Sequence, residues 1–278
     1  MPLVPTSEIV AAAQAGGCGA GAFNVITLEH AEAIVSGAEA ARRPAVLQIS
    51  ENAVAFHGGN VAPIVAACRL LAAAAAVPVA LHLDHVTAPA LARRAADEGF
   101  SSLMFDASHL PYEANVEATA AMASWAHDHH LWIEAELGEI TGKDGVHAPG
   151  VRTDPDEACS FVSETAVDAL AVAVGSSHAM TERTAELDVD LIARLHAALP
   201  VPLVLHGSSG VPDAALRAAV TAGIVKINIG TALNVAFTQV LRTRLRTDDR
   251  VVDPRTYLLA ARAQMSAEVQ RLLEVLHP

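Results

Sequence analysis

From one end of the chain to the other, short β-branched or apolar runs alternate with longer stretches of helical periodicity, and this alternation limits the fold more than any other feature. Strand patterns lie at 21–25, 45–50, 79–84, 103–106, 132–137, 169–175, 203–206 and 225–229. Helical patterns follow at 28–41, 61–75, 89–98, 113–127, 155–164, 189–198, 212–222 and 232–245. Thr153 or Asp154 ahead of Pro155, and Ser209-Gly210-Val211-Pro212-Asp213, read as helix starts. A parallel strand must return through a crossover, and both faces of its sheet must be covered. Eight β-then-α units with no break in composition therefore predict a closed (β/α)8 TIM barrel spanning 1–278 as one α/β domain. Segments 7–15 and 254–276 predict added N- and C-terminal helices that cap the barrel or mediate contacts between copies. A doubly wound open sheet is the alternative, but it calls for G-x-G-x-x-G after the first strand. Gly16-Gly17-Cys18-Gly19 precedes that strand instead.

Composition excludes several classes of function. With 52% hydrophobic and 18% charged residues, the chain collapses instead of staying disordered. Its most apolar stretch, 70–83, is bounded by Arg69 and broken by Pro78, short of the roughly 18 apolar residues a spanning helix needs. Met1-Pro2-Leu3-Val4-Pro5 lacks the basic start and apolar core of an export signal, so a cytoplasmic protein without membrane contact is expected. A net charge of -13 without a basic run argues against nucleic acid. Cys18, Cys68 and Cys159 are odd in number and far apart, as expected of reduced core thiols. Of the 13 histidines, His127, His129 and His130 read as solvated loop residues.

Barrel enzymes carry their sites at the C-terminal ends of the strands. Nearly every predicted strand here ends in a polar residue: Asn24, Ser50, Asp84-His85, Asp106, Glu134 and Glu136, His178, His206 and Asn228. One histidine at a strand end is commonly a hydrogen-bonded core residue. Three from different strands, His85, His178 and His206, with an open fourth position form the ligand set of a catalytic zinc or cobalt. Asp106 and Glu136 suit support of those imidazoles or an alternate position for the metal, against a plain salt link to Lys226. Glu134 shares the parity of Glu136 with its role open, and His82 lies deeper and reads as structural. Two glycine- and hydroxyl-rich runs, His206-Gly207-Ser208-Ser209-Gly210 and Asn228-Ile229-Gly230-Thr231, each lead into a helix where barrels commonly bind phosphate. Such an anion cradle is local and needs no overall positive charge.

The runs Leu81-His82-Leu83-Asp84-His85, Phe105-Asp106-Ala107-Ser108-His109, Glu134-Ala135-Glu136-Leu137-Gly138, Gly175-Ser176-Ser177-His178, Leu205-His206-Gly207-Ser208-Ser209-Gly210 and Lys226-Ile227-Asn228 occur together and in order. In this the chain resembles the class II, zinc-dependent ketose-bisphosphate aldolases of the fructose- and tagatose-bisphosphate type, over essentially its whole length. The resemblance implies reversible cleavage of a phosphorylated ketose to dihydroxyacetone phosphate and an aldehyde, in carbohydrate metabolism, by a homodimer or homotetramer. It implies Zn2+ or another divalent metal, with room for a monovalent cation. His85, His178 and His206 would bind the metal, and Asp84 would move the proton of the C4 hydroxyl. Gly207, Ser208, Ser209, Asn228, Ile229, Gly230, Thr231 and Ala179 would surround dihydroxyacetone phosphate, with Asn24 and Ser50 near the substrate. Arg262 would reach a second phosphate, across a dimer, unless it is a surface helix arginine.

The sequence departs from the family pattern in places. The family carries a Gly-Gly-Glu-Glu-Asp-Gly type run after the fifth strand, whose glutamate exchanges the ketone's proton. Here Thr141-Gly142-Lys143-Asp144-Gly145 stands there, leaving Glu139 or Asp144 as substitutes. Ala179-Met180-Thr181 replaces a glycine and a following aromatic, and Asn24-Val25-Ile26-Thr27 lacks a second asparagine. These differences also allow a member with another phosphorylated substrate or a ligand-binding role. The only lysines, Lys143 and Lys226, leave a Schiff-base aldolase through Lys226 as a further alternative. If Lys143 occupies the base's place, Lys143→Glu will speed detritiation of labelled dihydroxyacetone phosphate, by up to about 10²–10⁴-fold. An unchanged rate, with Glu139→Gln and Asp144→Asn also silent, would remove this loop from proton exchange.

Overall fold

The computed structural model describes residues 2–137, 152–177 and 180–277. Strands β1 (Ala20–Asn24), β2 (Ala45–Ser50), β3 (Val79–Val86), β4 (Ser102–Phe105), β5 (Trp132–Glu136), β6 (Ala169–Ala171), β7 (Leu203–Leu205) and β8 (Ile224–Ile229) pair in parallel and in sequence order, and the ring closes between β1 and β8. This is the (β/α)8 barrel that the alternation predicts.

Side chains of a strand alternate between its two faces, and here the two faces carry different chemistry. Phe23, Leu47, Ile49, Leu81, Leu83, Leu103, Ile133, Leu170, Leu205 and Ile227 join the main core beneath the surrounding helices. On the opposite parity, Ala20, Ala22, Val46 and Ala80, together with Val225 beside the register shift between β7 and β8, pack with Ile9, Val10 and Ala13 of helix Thr6–Gly16. That added helix therefore plugs the N-terminal end of the barrel with apolar contacts, and Leu3 bridges to Val79 beside it. Above this plug the interior turns polar: Gln48, His82, Ser102, Glu134 and Lys226 are all completely buried.

Several boundaries differ from the sequence expectation, each for a local reason. β6 ends at Ala171, not 175, because the Ala173 amide donates to the Thr153 hydroxyl and Gly175 takes a left-handed φ of 119°. The 89–98 stretch divides into Pro89–Ala92 and Arg94–Glu98. Asp154, not Thr153, caps the helix Pro155–Thr165, accepting from the amides of Asp156 and Glu157. The Ser209 run opens a short turn, Ser208–Gly210, and the helix begins only at Asp213. His127 ends a helix, Tyr112–Asp128, and bonds Asp168 instead of standing in a loop. A helix absent from the expectation, Glu51–Phe56, starts on Ser50, whose Oγ accepts from the Ala53 amide.

The C-terminal helix Pro254–Val275 lies along helices Leu28–Ala41 and Thr231–Thr247. It meets helix Leu28–Ala41 tightly at Gly37, where an added Cβ would come within 2.6 Å of the Ser266 carbonyl and 2.7 Å of Val269 Cβ. Gly37→Leu should therefore destabilise the protein by about 1–3 kcal/mol in urea unfolding. An unchanged midpoint would show that this helix can shift without loss.

Candidate active site

Neighbouring residues of a regular strand cannot both face the barrel interior, yet Asp84 and His85 both reach the mouth. The register of β3 shifts between Leu83 and Val86, and His85 adopts a left-handed φ of 48°. A bulge of this kind re-aims a side chain, at a backbone cost that non-glycine residues accept mainly where surrounding contacts hold them.

Those contacts are specific. His85 Nδ1 lies 3.1 Å from Asp106 Oδ2, and Asp106 in turn accepts from the Ser108 amide at 3.1 Å and hydroxyl at 2.6 Å. His85 Nε2 lies 2.8 Å from Nδ1 of His206, which follows β7, with the rings edge to face. The other nitrogen of His206, Nε2, lies 2.8 Å from Glu134 Oε1. Each imidazole thus turns one nitrogen to a carboxylate and the other toward its partner. His85, Asp106 and Glu136 also present ligand atoms within 4.8 Å of one another, a second grouping of metal-type donors.

Asp84 is held by two amides, accepting from Asn24 Nδ2 at 3.1 Å and from Asn228 Nδ2 at 3.3 Å. Gln48 orients Asn24 by donating to its Oδ1 at 2.9 Å. Gln48 was not singled out from the sequence, although one amide inside the apolar run Ala45–Ser50 is the kind of signal that marks it. Lys226 donates at 2.7 Å to both Glu134 Oε2 and Asn228 Oδ1. The salt link to Lys226 that stood as the alternative reading of Asp106 and Glu136 is made by Glu134, the residue whose role was open. Lys226 is wholly buried, with both of these acceptors in place, a setting that suits an ion pair with Glu134. His82 is structural as expected: Nδ1 lies 2.7 Å from Ser102 Oγ, and burial, then Lys226, hold its pKa well below the ordinary value.

The seventh and eighth loops are tied together. Ser208 donates to the Asn228 carbonyl at 2.5 Å, and Ser209 Oγ accepts from the Ala232 amide at 3.0 Å, in the first turn of the helix Thr231–Thr247. Gly207 has φ 65°, and a Cβ there would meet the Ser177 carbonyl; a Cβ at Gly230 would meet Asn24 Oδ1 at 2.8 Å. The two glycines thus let backbone come close where a side chain would fill the space. Ile229 turns its side chain into the outer core, leaving only its backbone toward the mouth. Ser50 is engaged as a helix cap beside Asp84, its register partner. Arg262 pairs with Glu32 of its own chain, beside Glu29, Arg255 and Leu259. His178, Ala179, Glu139, Lys143 and Asp144 lie outside the described residues.

Burial by itself would lower the His85 pKa, but Asp84, Asp106 and Glu136 outweigh it and raise it to about 10. Burial also opposes the Asp106 charge, but hydrogen bonds from His85 and Ser108 hold its carboxyl well below the usual range. A folded pKa above the unfolded value of 6.5 gives His85 a stabilising contribution that is complete below 6.5 and lost as pH rises through about 10. In chelator-treated protein, stability should therefore fall across that window, and His85→Gln should flatten the fall in urea unfolding followed against pH. Equal slopes in both proteins would contradict this assignment.

The family model described as Fructose-bisphosphate aldolase class-II matches residues 4–278. A 6-phospho-5-dehydro-2-deoxy-D-gluconate aldolase of Shouchella clausii is 36% identical over 99% of this chain and 94% of its own length. A fructose-bisphosphate aldolase of Staphylococcus epidermidis is also 36% identical, over 97% of this chain and 96% of its own. Among solved structures, the YdjI aldolase from Escherichia coli K12 superposes with a TM-score of 0.86 at 28% identity, over 99% of this chain and 97% of that one. With a closed barrel whose mouth gathers two histidines, four carboxylates and three amides, and a match over nearly its whole length, the chain belongs to the class-II fructose-bisphosphate aldolase family and is an aldehyde-lyase of that family.

Proposed function

We propose that this protein uses zinc to cleave a phosphorylated ketose reversibly to dihydroxyacetone phosphate and an aldehyde, with zinc bound by His85, His178 and His206. The observation that carries this reading is the 2.8 Å approach of His85 Nε2 to His206 Nδ1. With the other nitrogen of each ring turned to a carboxylate, two lone pairs would face each other across that gap. They need a proton or a cation between them. The raised His85 pKa supplies the proton when no cation is bound, and three imidazoles with nearby carboxylates suit zinc. A divalent cation held there would supply Lewis-acid stabilisation of the charge that develops on the substrate's carbonyl and hydroxyl oxygens.

The protein's own groups carry the remaining steps. Asp84, nearly buried and fixed by Asn24 and Asn228, takes or returns the proton of the C4 hydroxyl, a role that contributes about 10²–10⁴-fold. Gly207, Ser209, Gly230 and Thr231 supply close-approaching backbone and hydroxyls at a helix N-terminus for the phosphate. Asn228 joins that cradle to the acid-base pair. The assembly is a homodimer or homotetramer in the cytoplasm, in keeping with three free cysteines and with no helix among the described residues long and apolar enough to cross a membrane.

The substrate is best sought across a panel, because relatives of equal identity carry different substrate names. Zinc-loaded enzyme should cleave at least one of fructose bisphosphate, tagatose bisphosphate, 6-phospho-5-dehydro-2-deoxy-D-gluconate and the single-phosphate ketoses, and chelation should abolish it. Tight ligand binding with no cleavage of any would instead favour a binding role. Chelated protein should take up about one zinc per chain and release about one proton near neutral pH, read by calorimetry in two buffers. His85→Ala and His206→Ala should each lose most metal and activity yet stay folded. Stoichiometric zinc in the double variant would overturn the ligand assignment.

A further inference from the structure

Lys226 sits in the middle of β8, completely buried, and its ammonium has only donors to offer. Two acceptors take them: Glu134 Oε2 and Asn228 Oδ1, each at 2.7 Å. The consequences run in two directions. Asn228 must turn its oxygen to Lys226, so its Nδ2 faces Asp84 Oδ1. Glu134, with one oxygen on the ammonium, leaves Oε1 for His206 Nε2 at 2.8 Å. A carboxylate only accepts, so the His206 proton belongs on Nε2 and the lone pair on Nδ1. Asn228 Nδ2 also comes within 3.1 Å of His206 Nε2, but it is itself a donor there, and the shorter, charge-assisted contact to Glu134 decides the arrangement.

We propose that Lys226 and Glu134 act together as positioning residues: they fix His206 in the Nε2–H form that leaves Nδ1 open to a metal, and through Asn228 Lys226 aims the amide that holds Asp84. This rests on reading His206 as a metal ligand. An ion pair that merely filled the barrel would not require one imidazole form.

In Glu134→Gln the ammonium claims the amide oxygen, so the amide NH2 faces His206 and drives its proton to Nδ1. This variant should bind Co2+ about 10–100-fold more weakly, with an altered visible spectrum, and Lys226→Met should do so too, because a buried carboxylate stripped of its counter-ion takes up a proton and then turns an O–H instead of an acceptor to His206. They should also show lower kcat with little change in KM. In Lys226→Met/Glu134→Gln the amide is free to turn, presenting oxygen to His206 and NH2 to Asn228. The double variant should recover Co2+ affinity above either single one, an outcome that loss of a filler ion pair would not give. Imidazole 15N shifts of the metal-free wild type, with His206 assigned by His206→Gln, should show the Nε2–H form. The Nδ1–H form in wild type, or a folded Glu134→Gln that binds Co2+ as tightly as wild type, would overturn the proposal. The 15N result decides it even where a variant does not fold. Absence of any Co2+ binding by wild type would refute the metal reading separately, leaving the assignment of the imidazole form to stand or fall on its own spectrum.

Discussion

Closure of the parallel sheet between β1 and β8 is the constraint from which the rest of this structure follows. A parallel ring has no free edge, and every crossover returns the chain to the same end, so eight strands deliver their C-terminal residues to one mouth. Residues as far apart in sequence as Asp84 and Asn228 come within hydrogen-bonding distance for this reason. The polar side chains deep in the interior, Gln48, His82, Ser102, Glu134 and Lys226, are shut off from solvent. Alanine and valine fill the end plugged by helix Thr6–Gly16, and polar groups occur only where partners are built in.

That second requirement explains the site's architecture. A buried charge is costly unless it is paired and hydrogen-bonded, and the carboxylates, imidazoles and ammonium here are joined in one continuous set of contacts. The set runs from Ser108 through Asp106, His85, His206, Glu134 and Lys226 to Asn228, Asp84, Asn24 and Gln48. Each member limits the orientation of the next, so the two imidazoles and Asp84 share one scaffold. Such preorganisation suits chemistry in which charge develops at a fixed place, because the groups need not rearrange as it appears.

The loops after β7 and β8 meet the same constraint with backbone. Gly207 and Gly230 approach neighbouring chain more closely than any side chain allows, while Ser208 and Ser209 tie the two loops to each other. The same region is joined to Asp84 through Asn228, so the proposed phosphate cradle in an acidic protein would rest on local geometry and not on net charge.

The sequence by itself determined the barrel, because apolar strand runs alternating with helical periods have few other ways to bury both faces of a parallel sheet. It also determined the roster at the mouth: Asn24, Asp84, His85, Asp106, Glu136, His206 and Asn228 stand at strand ends where period and punctuation place them. Strand and helix limits were legible to within a few residues, and they slipped where a side chain captured a backbone group, as Thr153 does at Ala173. Only the tertiary structure decided which partner each polar residue takes. Lys226 could have served Asp106, Glu136 or a substrate carbonyl; ring closure and strand stagger set it between Glu134 and Asn228. Likewise no local pattern announces that His85 adopts a left-handed backbone to share the mouth with Asp84, since that conformation is held by Asp106 and His206, which are distant in sequence. Periodicity is a property of neighbours along the chain, whereas pairing inside a closed barrel depends on how all eight strands are staggered at once.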